Sequence, residues 1–174
     1  MQRIKMVEYA DCNTQQKQLY NGQITAHGRI TNMKKTLLNS PLSFKVLMEW
    51  YPLRDEVVKF LGDFGVNIFC HAISTRNNCL ICSTFFRKIL IDNGHNPDAP
   101  KLSQRDSLLI DYGYALVNTC QTISNTLFAR LKAEFSEEQI VALTAFGGMM
   151  IATNLINNAL EVPFDDYLQS YTRR

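Results

Sequence analysis

The sequence has little charge for its length. Of its 174 residues, 20% are Asp, Glu, Lys or Arg, and the formal net charge is +2, whereas a typical soluble domain is about 25% charged. This balance gives no electrostatic basis for binding nucleic acid or an anionic membrane, so neither partner is expected. The pairs Lys34-Lys35 and Arg173-Arg174 are interpreted as solvated surface. A surface short of charge favours a homo-oligomer.

Alternating strand patterns, internal repeats and Ser-rich linkers are all missing from the sequence. Apolar residues recur instead at steps of three and four, which is typical of helices that bury one face. We therefore expect an all-α, single-domain bundle of about six or seven helices. Residues 1–34 are predicted as a partly irregular N-terminal arm, in which Cys12 and His27 have no chemical role, and residues 35–174 as the helical domain.

The N-terminus has no apolar run of the kind that marks a secretory signal, and the five cysteines are an odd number. Both observations argue against a secreted disulfide framework and favour a cytoplasmic protein with reduced thiols. Residues 139–160 carry no charge over a length that could span a bilayer. Three asparagines within this segment would be costly in hydrocarbon, so it is interpreted as a buried helix of a soluble protein.

Several helix boundaries are indicated by capping residues. Ser40-Pro41 is typical of an N-cap followed by proline at the first helical position, and Gly94 is placed to end a helix that begins near residue 80. Two further capping boxes, Ser-x-x-Asp and Ser-x-x-Gln, begin at positions 103 and 136. Gly62 and Gly65 lie within a long apolar stripe and indicate either a helix break or a close helix contact.

The motif that indicates a chemical role is Cys79-Leu80-Ile81-Cys82, which lies at the predicted junction of a loop and a helix. Unpaired N–H groups and the helix dipole stabilise a thiolate there, and the two-residue gap lets one sulfur resolve a mixed disulfide formed by the other. Three interpretations remain open: a redox dithiol, two small residues packed in a core, and part of a zinc site. The zinc site has least support, because only Cys70-His71 offers further ligands.

Three parts of the sequence resemble the carboxymuconolactone decarboxylase and alkyl hydroperoxidase D-like superfamily. They are residues 57–73 with the turn Arg76-Asn77-Asn78-Cys79-Leu80-Ile81-Cys82, the segments 102–106 and 135–143, and Asn154-Leu155-Ile156-Asn157-Asn158-Ala159-Leu160. The resemblance spans residues 35–168. It implies an all-helical fold that assembles as trimers or hexamers.

The redox branch of this superfamily has a proton relay, which this chain lacks. There a glutamate precedes Cys-x-x-Cys by eleven intervening residues, and a histidine follows the second cysteine by four positions. These two positions fall here on Asn67 and Phe86, and neither side chain can exchange a proton as a general base does. His71 lies one helical turn after Asn67 and shares its helix face. We therefore treat His71 as a candidate substitute base, the alternative being an ordinary packed histidine.

The resemblance implies a thiol–disulfide oxidoreductase with peroxiredoxin-type antioxidant activity, weakened by the lost relay, with Cys79 and Cys82 as catalytic residues. His71 joins them as the candidate substitute base on the strength of its helix position alone. A peroxide or disulfide is the expected substrate and a thiol the expected reductant, with no cofactor or metal. Helix-dipole reasoning favours Cys79 as the attacking sulfur, whereas the position of the relay histidine favours Cys82. The alternative is a non-catalytic structural or ligand-binding member. The decarboxylase branch ranks lower, because only His71, Arg76 and Arg87 offer groups for a carboxylate.

Overall fold

In the computed structural model the chain is all-α. The structure describes residues 2–118 and 122–173, and within these ranges it contains eight α-helices, two short 3-10 helices and no strand. The α-helices are α1 (Thr14–His27), α2 (Asn32–Leu37), α3 (Pro41–Met48), α4 (Trp50–Arg76), α5 (Leu80–Asp92), α6 (Gln104–Val117), α7 (Asn125–Glu134) and α8 (Glu137–Ala159). The 3-10 helices are Tyr9–Asp11 and Asp166–Tyr171. The predicted all-α fold is confirmed, with more helices in the described ranges than the six or seven expected.

Two helices, α1 and α2, begin in the N-terminal segment that was predicted as partly irregular. Asn13 caps α1 through a reciprocal box with Gln16, and Gly28 ends the helix with a left-handed φ of 71°. The loop before α1 buries Cys12 in an apolar cluster with Leu38 and its neighbours. Residues 2–34 therefore pack onto the rest of the chain and help to build its cavity, described below.

Helix α4 is the centre of the fold and packs against α5, α6 and α8. Its second half is buried, and Phe69 stacks between Tyr112 of α6 and Phe146 of α8, at ring-centroid distances of 6.2 and 6.3 Å. Gly62, with φ 71° and ψ 168°, interrupts the helical backbone. Gly65 marks a close contact instead, since a Cβ there would lie 3.3 Å from Leu109 Cδ1. The two glycines thus account for both of the predicted features.

Helix α8 is the uncharged segment noted in the sequence. By length and composition, α8 and the stretch Pro41–Arg76 are each apolar enough to cross a membrane. Asn154 and Asn157 of α8 are nevertheless buried against the protein, where each has a hydrogen-bonding partner. Gly147 lets α8 approach its neighbours closely, because a Cβ there would lie 2.6 Å from Leu116 Cδ1. Close packing of α8 on α6 and on Phe69 of α4 places Asn157 beside the start of α5.

The predicted capping residues are confirmed. The Ser40 side chain accepts a hydrogen bond from the Ser43 amide, with Pro41 at the first position of α3. Gly94 has a φ of 78° and follows the end of α5. Capping boxes at positions 103 and 136 begin α6 and α8. The main helix boundaries are thus encoded locally.

Candidate dithiol site

The Cys-Leu-Ile-Cys segment lies at the start of α5, directly after α4 ends. Asn78 has a left-handed φ of 52°, and the Cys79 amide donates to the Ser74 carbonyl at 3.0 Å, which closes the turn between the helices. Cys79 is the N-cap residue of α5, and its sulfur lies beside the backbone N–H groups of Ile81 and Cys82 in the first turn. Cys82 follows three positions later, so the two sulfurs lie on one side of the helix.

Both thiols are free and buried. Cys79 is 1% exposed and Cys82 is 5% exposed, and their side chains hydrogen-bond to each other. Asn157 of α8 donates from Nδ2 to Cys82 Sγ at 3.1 Å and to Cys79 Sγ at 3.7 Å. A single amide therefore holds both sulfurs.

The surroundings of the two thiols push their pKa values apart. The hydrogen bond from the Cys82 side chain lowers the pKa of Cys79 to about 7, helped by the backbone N–H groups of Cys82 and Ile81 and by the Asn157 amide, against the effect of burial. The same inter-thiol hydrogen bond, together with burial, raises the pKa of Cys82 well above its usual value. The thiolate is therefore carried by Cys79, the sulfur at the helix N-terminus, where helix-dipole reasoning expects it.

Cys82 and Asn157 also line a cavity of about 340 Å³. This volume lies in the range of about 300–1,000 Å³ that small-molecule sites occupy. The wall is largely apolar, with side chains from α3, α5 and α8, and the N-terminal segment adds Lys34 to it. Asp165 from the segment after α8 also faces this space. A small molecule entering the cavity would meet the dithiol through Cys82.

No family model and no curated protein matches the sequence. Among solved structures, an uncharacterized peroxidase-related protein from Ralstonia eutropha JMP134, described as an alkylhydroperoxidase AhpD core, superposes with a TM-score of 0.75. The match covers 96% of this chain and 94% of that one, at 16% sequence identity. The chain has the alkyl hydroperoxidase D-like fold. The resemblance read from the sequence is thus confirmed at the level of the fold, over nearly the whole chain.

In this alkyl hydroperoxidase D-like fold, the two relay positions hold buried residues that lack acid–base chemistry. Asn67 and Phe86 are both buried, and Phe86 packs edge-on against Phe85 on the wall of the 340 Å³ cavity. In the described part of the chain, no side chain other than Asn157 and the partner thiol hydrogen-bonds to either sulfur. The site therefore relies on hydrogen bonding rather than on a general base.

His71 lines a different cavity from the dithiol. It lines a second, smaller cavity of about 180 Å³ with His95 and Arg173, whereas Cys82 lines the first. Burial, with the charges of Arg173 and Arg87, lowers the pKa of His71 to about 4. The shared helix face with Asn67 does not bring the imidazole to the thiols, because α5 packs so that its cysteines face α8. The interpretation of His71 as an ordinary packed histidine fits its surroundings better.

The arginines considered for a carboxylate site have other partners. Arg76 donates to Asn118 Oδ1 at 3.3 Å. Arg87 forms a two-point pair with Asp98, at 2.8 and 2.5 Å, and Asp98 also accepts from Arg173. Neither arginine lines the 340 Å³ cavity. The structure thus assembles no carboxylate site from these side chains.

The other cysteines have no such arrangement where the structure describes them. Cys12 donates to the Glu8 carbonyl at 3.4 Å in the N-terminal cluster. Cys70 is completely buried, which raises its pKa, and it lies close enough to Cys82 to raise that pKa slightly as well. Cys120 lies outside the described residues. Within residues 2–118 and 122–173, no three His, Cys, Asp or Glu side chains are grouped to hold a metal ion.

Two residues of this region were missed by the sequence reasoning. Asn157 was noted only as one of several asparagines in an apolar helix, although buried amides require partners and that requirement was a usable signal. Lys34 was interpreted as solvated surface, and this was wrong. Its side chain is buried, while Lys35 reaches outward to Glu8. On a two-turn helix packed against the domain, adjacent lysines point in different directions, and sequence alone does not say which one faces inward.

Proposed function

We propose that the chain is a thiol–disulfide oxidoreductase of the carboxymuconolactone decarboxylase superfamily, in which Cys79 and Cys82 cycle between dithiol and disulfide. The observation that carries this proposal is the pair of free thiols bonded to each other and to one amide at a helix N-terminus. A purely structural pair of buried cysteines has no need of a lowered pKa at one sulfur. The fold is that of a peroxidase-related protein.

A hydroperoxide is the proposed oxidant. Because Cys82 and not Cys79 lines the cavity, the proposed reaction requires the Cys82 side chain to turn aside so that the hydroperoxide reaches the Cys79 thiolate. The thiolate attacks the outer peroxide oxygen and the O–O bond breaks, which leaves a sulfenic acid on Cys79 and an alkoxide that takes up a proton to become an alcohol. The Cys82 sulfur then attacks the sulfenic sulfur, and its proton departs with the hydroxide as water. Two thiols and one hydroperoxide thus give a disulfide, an alcohol and water. An external dithiol returns the pair to its reduced form.

The missing relay sets the expected rate. General acid–base catalysis typically contributes about 10²–10⁴-fold, so turnover is expected to be slower than with a complete relay by up to that factor. A relay also generates the thiolate, and here hydrogen bonds to the Cys79 sulfur serve that purpose. With a Cys79 pKa of about 7, about half of the protein carries the thiolate at neutral pH without any base.

Mass spectrometry after mild peroxide treatment tests this function. A Cys79–Cys82 disulfide should form in proportion to the peroxide consumed, and a dithiol reductant should reverse it. Cys79→Ser should abolish peroxide consumption, whereas Cys12→Ser, which alters a buried thiol in the separate N-terminal cluster, should not. Persistent free thiols with no peroxide consumed would favour the non-catalytic alternative, and stoichiometric bound zinc would contradict the redox function.

We further propose that the chain acts in the cytoplasm as a homo-oligomer. Helices α3 and α8 expose large apolar side chains, with Leu42 at 74%, Val141 at 68% and Leu155 at 63% exposure. Together with the low content of charge, these side chains are expected to be covered by further copies of the chain.

A further inference from the structure

The cavity next to the dithiol contains a feature that thiol chemistry does not explain, which is the buried Lys34. Lys34 is only 5% exposed. Its Nζ donates to Gln23 Oε1 at 2.5 Å and to the Tyr51 hydroxyl at 2.7 Å, and it lies 4.9 Å from the centre of the Tyr51 ring. These partners are neutral. In the described part of the chain Lys34 has no carboxylate partner, although buried lysines are rarely found without one.

A second unused donor lines the same cavity. Trp50 Nε1 is buried, and no hydrogen-bond acceptor reaches it in the described residues. The indole stacks on Phe146 at 5.2 Å, and this contact, together with an edge contact to Tyr51, holds the ring in place. An ammonium group takes three acceptors, and Lys34 uses two within the protein. One lysine N–H is therefore left for an acceptor from outside. The indole N–H also lacks an acceptor, but its nitrogen is almost completely enclosed, so a bound group reaches it only when the neighbouring side chains move.

The other charged groups on the cavity wall favour an anion. Arg29 and Lys88 line it together with Lys34, and Asp165 is the one carboxylate among the lining residues. His27 also lines it, but burial and the charge of Lys34 lower the pKa of this histidine, so it adds no charge at neutral pH. Asp165 Oδ1 accepts from the Asn32 amide, whereas its Oδ2 is buried without a partner in the described residues. Burial raises the pKa of this carboxyl, which disfavours its charged form. Lys88 is paired with Asp92, and the guanidinium of Arg29 lies over the Tyr167 ring. The remaining wall is apolar, with Met33, Leu47, Met48, Phe85, Ile89 and Met150.

We propose that this cavity binds an amphipathic carboxylate, with its head on Lys34 and the Trp50 N–H and its hydrocarbon part against the apolar wall. The cavity of about 340 Å³ holds about eleven non-hydrogen atoms at roughly 30 Å³ each, the volume of a water molecule in the liquid. An eight-carbon acid is of this size. Binding does not require the thiols, so it can be present or absent independently of the redox function.

Trp50 gives a direct readout, because it is the chain's single tryptophan and lines the cavity. Octanoate is titrated into the intact protein while tryptophan fluorescence is followed, and 1-octanol serves as the uncharged probe of similar length. We expect octanoate to change the Trp50 emission saturably and to bind about tenfold or more tightly than octanol, as one charge-assisted contact would produce. Equal affinities, or no binding of octanoate by fluorescence and calorimetry, would overturn the proposal.

The variant Lys34→Met keeps the length of the side chain and removes the charge. It should weaken octanoate binding by about tenfold or more and leave octanol binding unchanged. Lys35→Met is the matched control, because the neighbouring lysine pairs with Glu8 and does not line the cavity, and it should bind octanoate as the unaltered protein does. Unchanged octanoate affinity in Lys34→Met would contradict the assignment. If that variant does not fold, the comparison of octanoate with octanol on the unaltered protein still decides.

Discussion

Replacing Asn157 with alanine should raise the pKa of the Cys79 thiol and thereby slow its reactions. Asn157 is the side chain of α8 that reaches both sulfurs, and its amide is among the groups that lower the pKa of Cys79. Alanine removes this donor without introducing a charge or a larger side chain.

The size of the effect follows from the geometry. A hydrogen bond to a charged group contributes about 1.5–3 kcal/mol, and one pKa unit corresponds to about 1.4 kcal/mol. The distance from Nδ2 to Cys79 Sγ is 3.7 Å, which favours the lower end of this range, or about one unit. A pKa that moves from about 7 to about 8 reduces the thiolate fraction at pH 7 from about half to about a tenth.

The rate of alkylation by iodoacetamide measures this fraction directly, and fragmentation in the mass spectrometer locates the label on Cys79 or Cys82 within the peptide that contains both. The midpoint for Cys79 should move to higher pH by about one unit in Asn157→Ala. Asn154→Ala is the control, because Asn154 is equally buried on the same helix but bonds to Ser74, and its midpoint should stay in place. Equal midpoints for Asn157→Ala and the unaltered protein would refute the role given to this amide.

Three further outcomes are expected. Gly147→Ala should lower the free energy of unfolding by about 1–3 kcal/mol in denaturant titration, because the new Cβ would lie 2.6 Å from Leu116 Cδ1. Gly148→Ala is the control and should have no such effect, because Gly148 has open space around it. Equal losses of stability in the two variants would contradict the packing of α8. Burial lowers the pKa of Lys34 to about 8, so octanoate affinity should be constant between about pH 6, where the ligand carboxyl is ionised, and about pH 7, and should fall as pH rises through about 8; a flat profile across this range would show that the lysine charge is not used. Light scattering should find an oligomer that Val141→Glu, placed on the exposed face of α8, weakens; a monomer before substitution would count against self-association.

The sequence was most informative where structure is decided locally. Capping boxes at positions 103 and 136, the proline after Ser40 and the left-handed Gly94 each depend on residues within a few positions, so their helix boundaries were predictable. The Cys79–Cys82 pair was also predictable, because its two cysteines lie only three positions apart in the sequence. The fold class followed from apolar spacing, which is a property of single helices.

What the sequence could not give was the result of packing between distant segments. Asn157 reaches the thiols across 75 positions of chain, and spacing along α8 does not indicate which buried asparagine does so. Sharing a helix face with Asn67 suggested that His71 would reach the dithiol, yet the packing of α5 on α4 leaves it in a different cavity. Lys34 is buried because Gln23 and Tyr51, from two other helices, surround its ammonium group.

Helix α5 begins at a cysteine, where six of the other described helices begin at Ser, Thr or Asn and bond a side chain to the first turn. The N–H groups at the start of α5 thus have a sulfur as their nearest side chain. A negatively charged sulfur satisfies them, and a disulfide sulfur does so far less well. In the proposed function, reduction would therefore complete the cap of the helix, and we expect the folded chain to favour the dithiol over the disulfide. A cysteine pair at such a cap is expected to make a poor permanent cross-link.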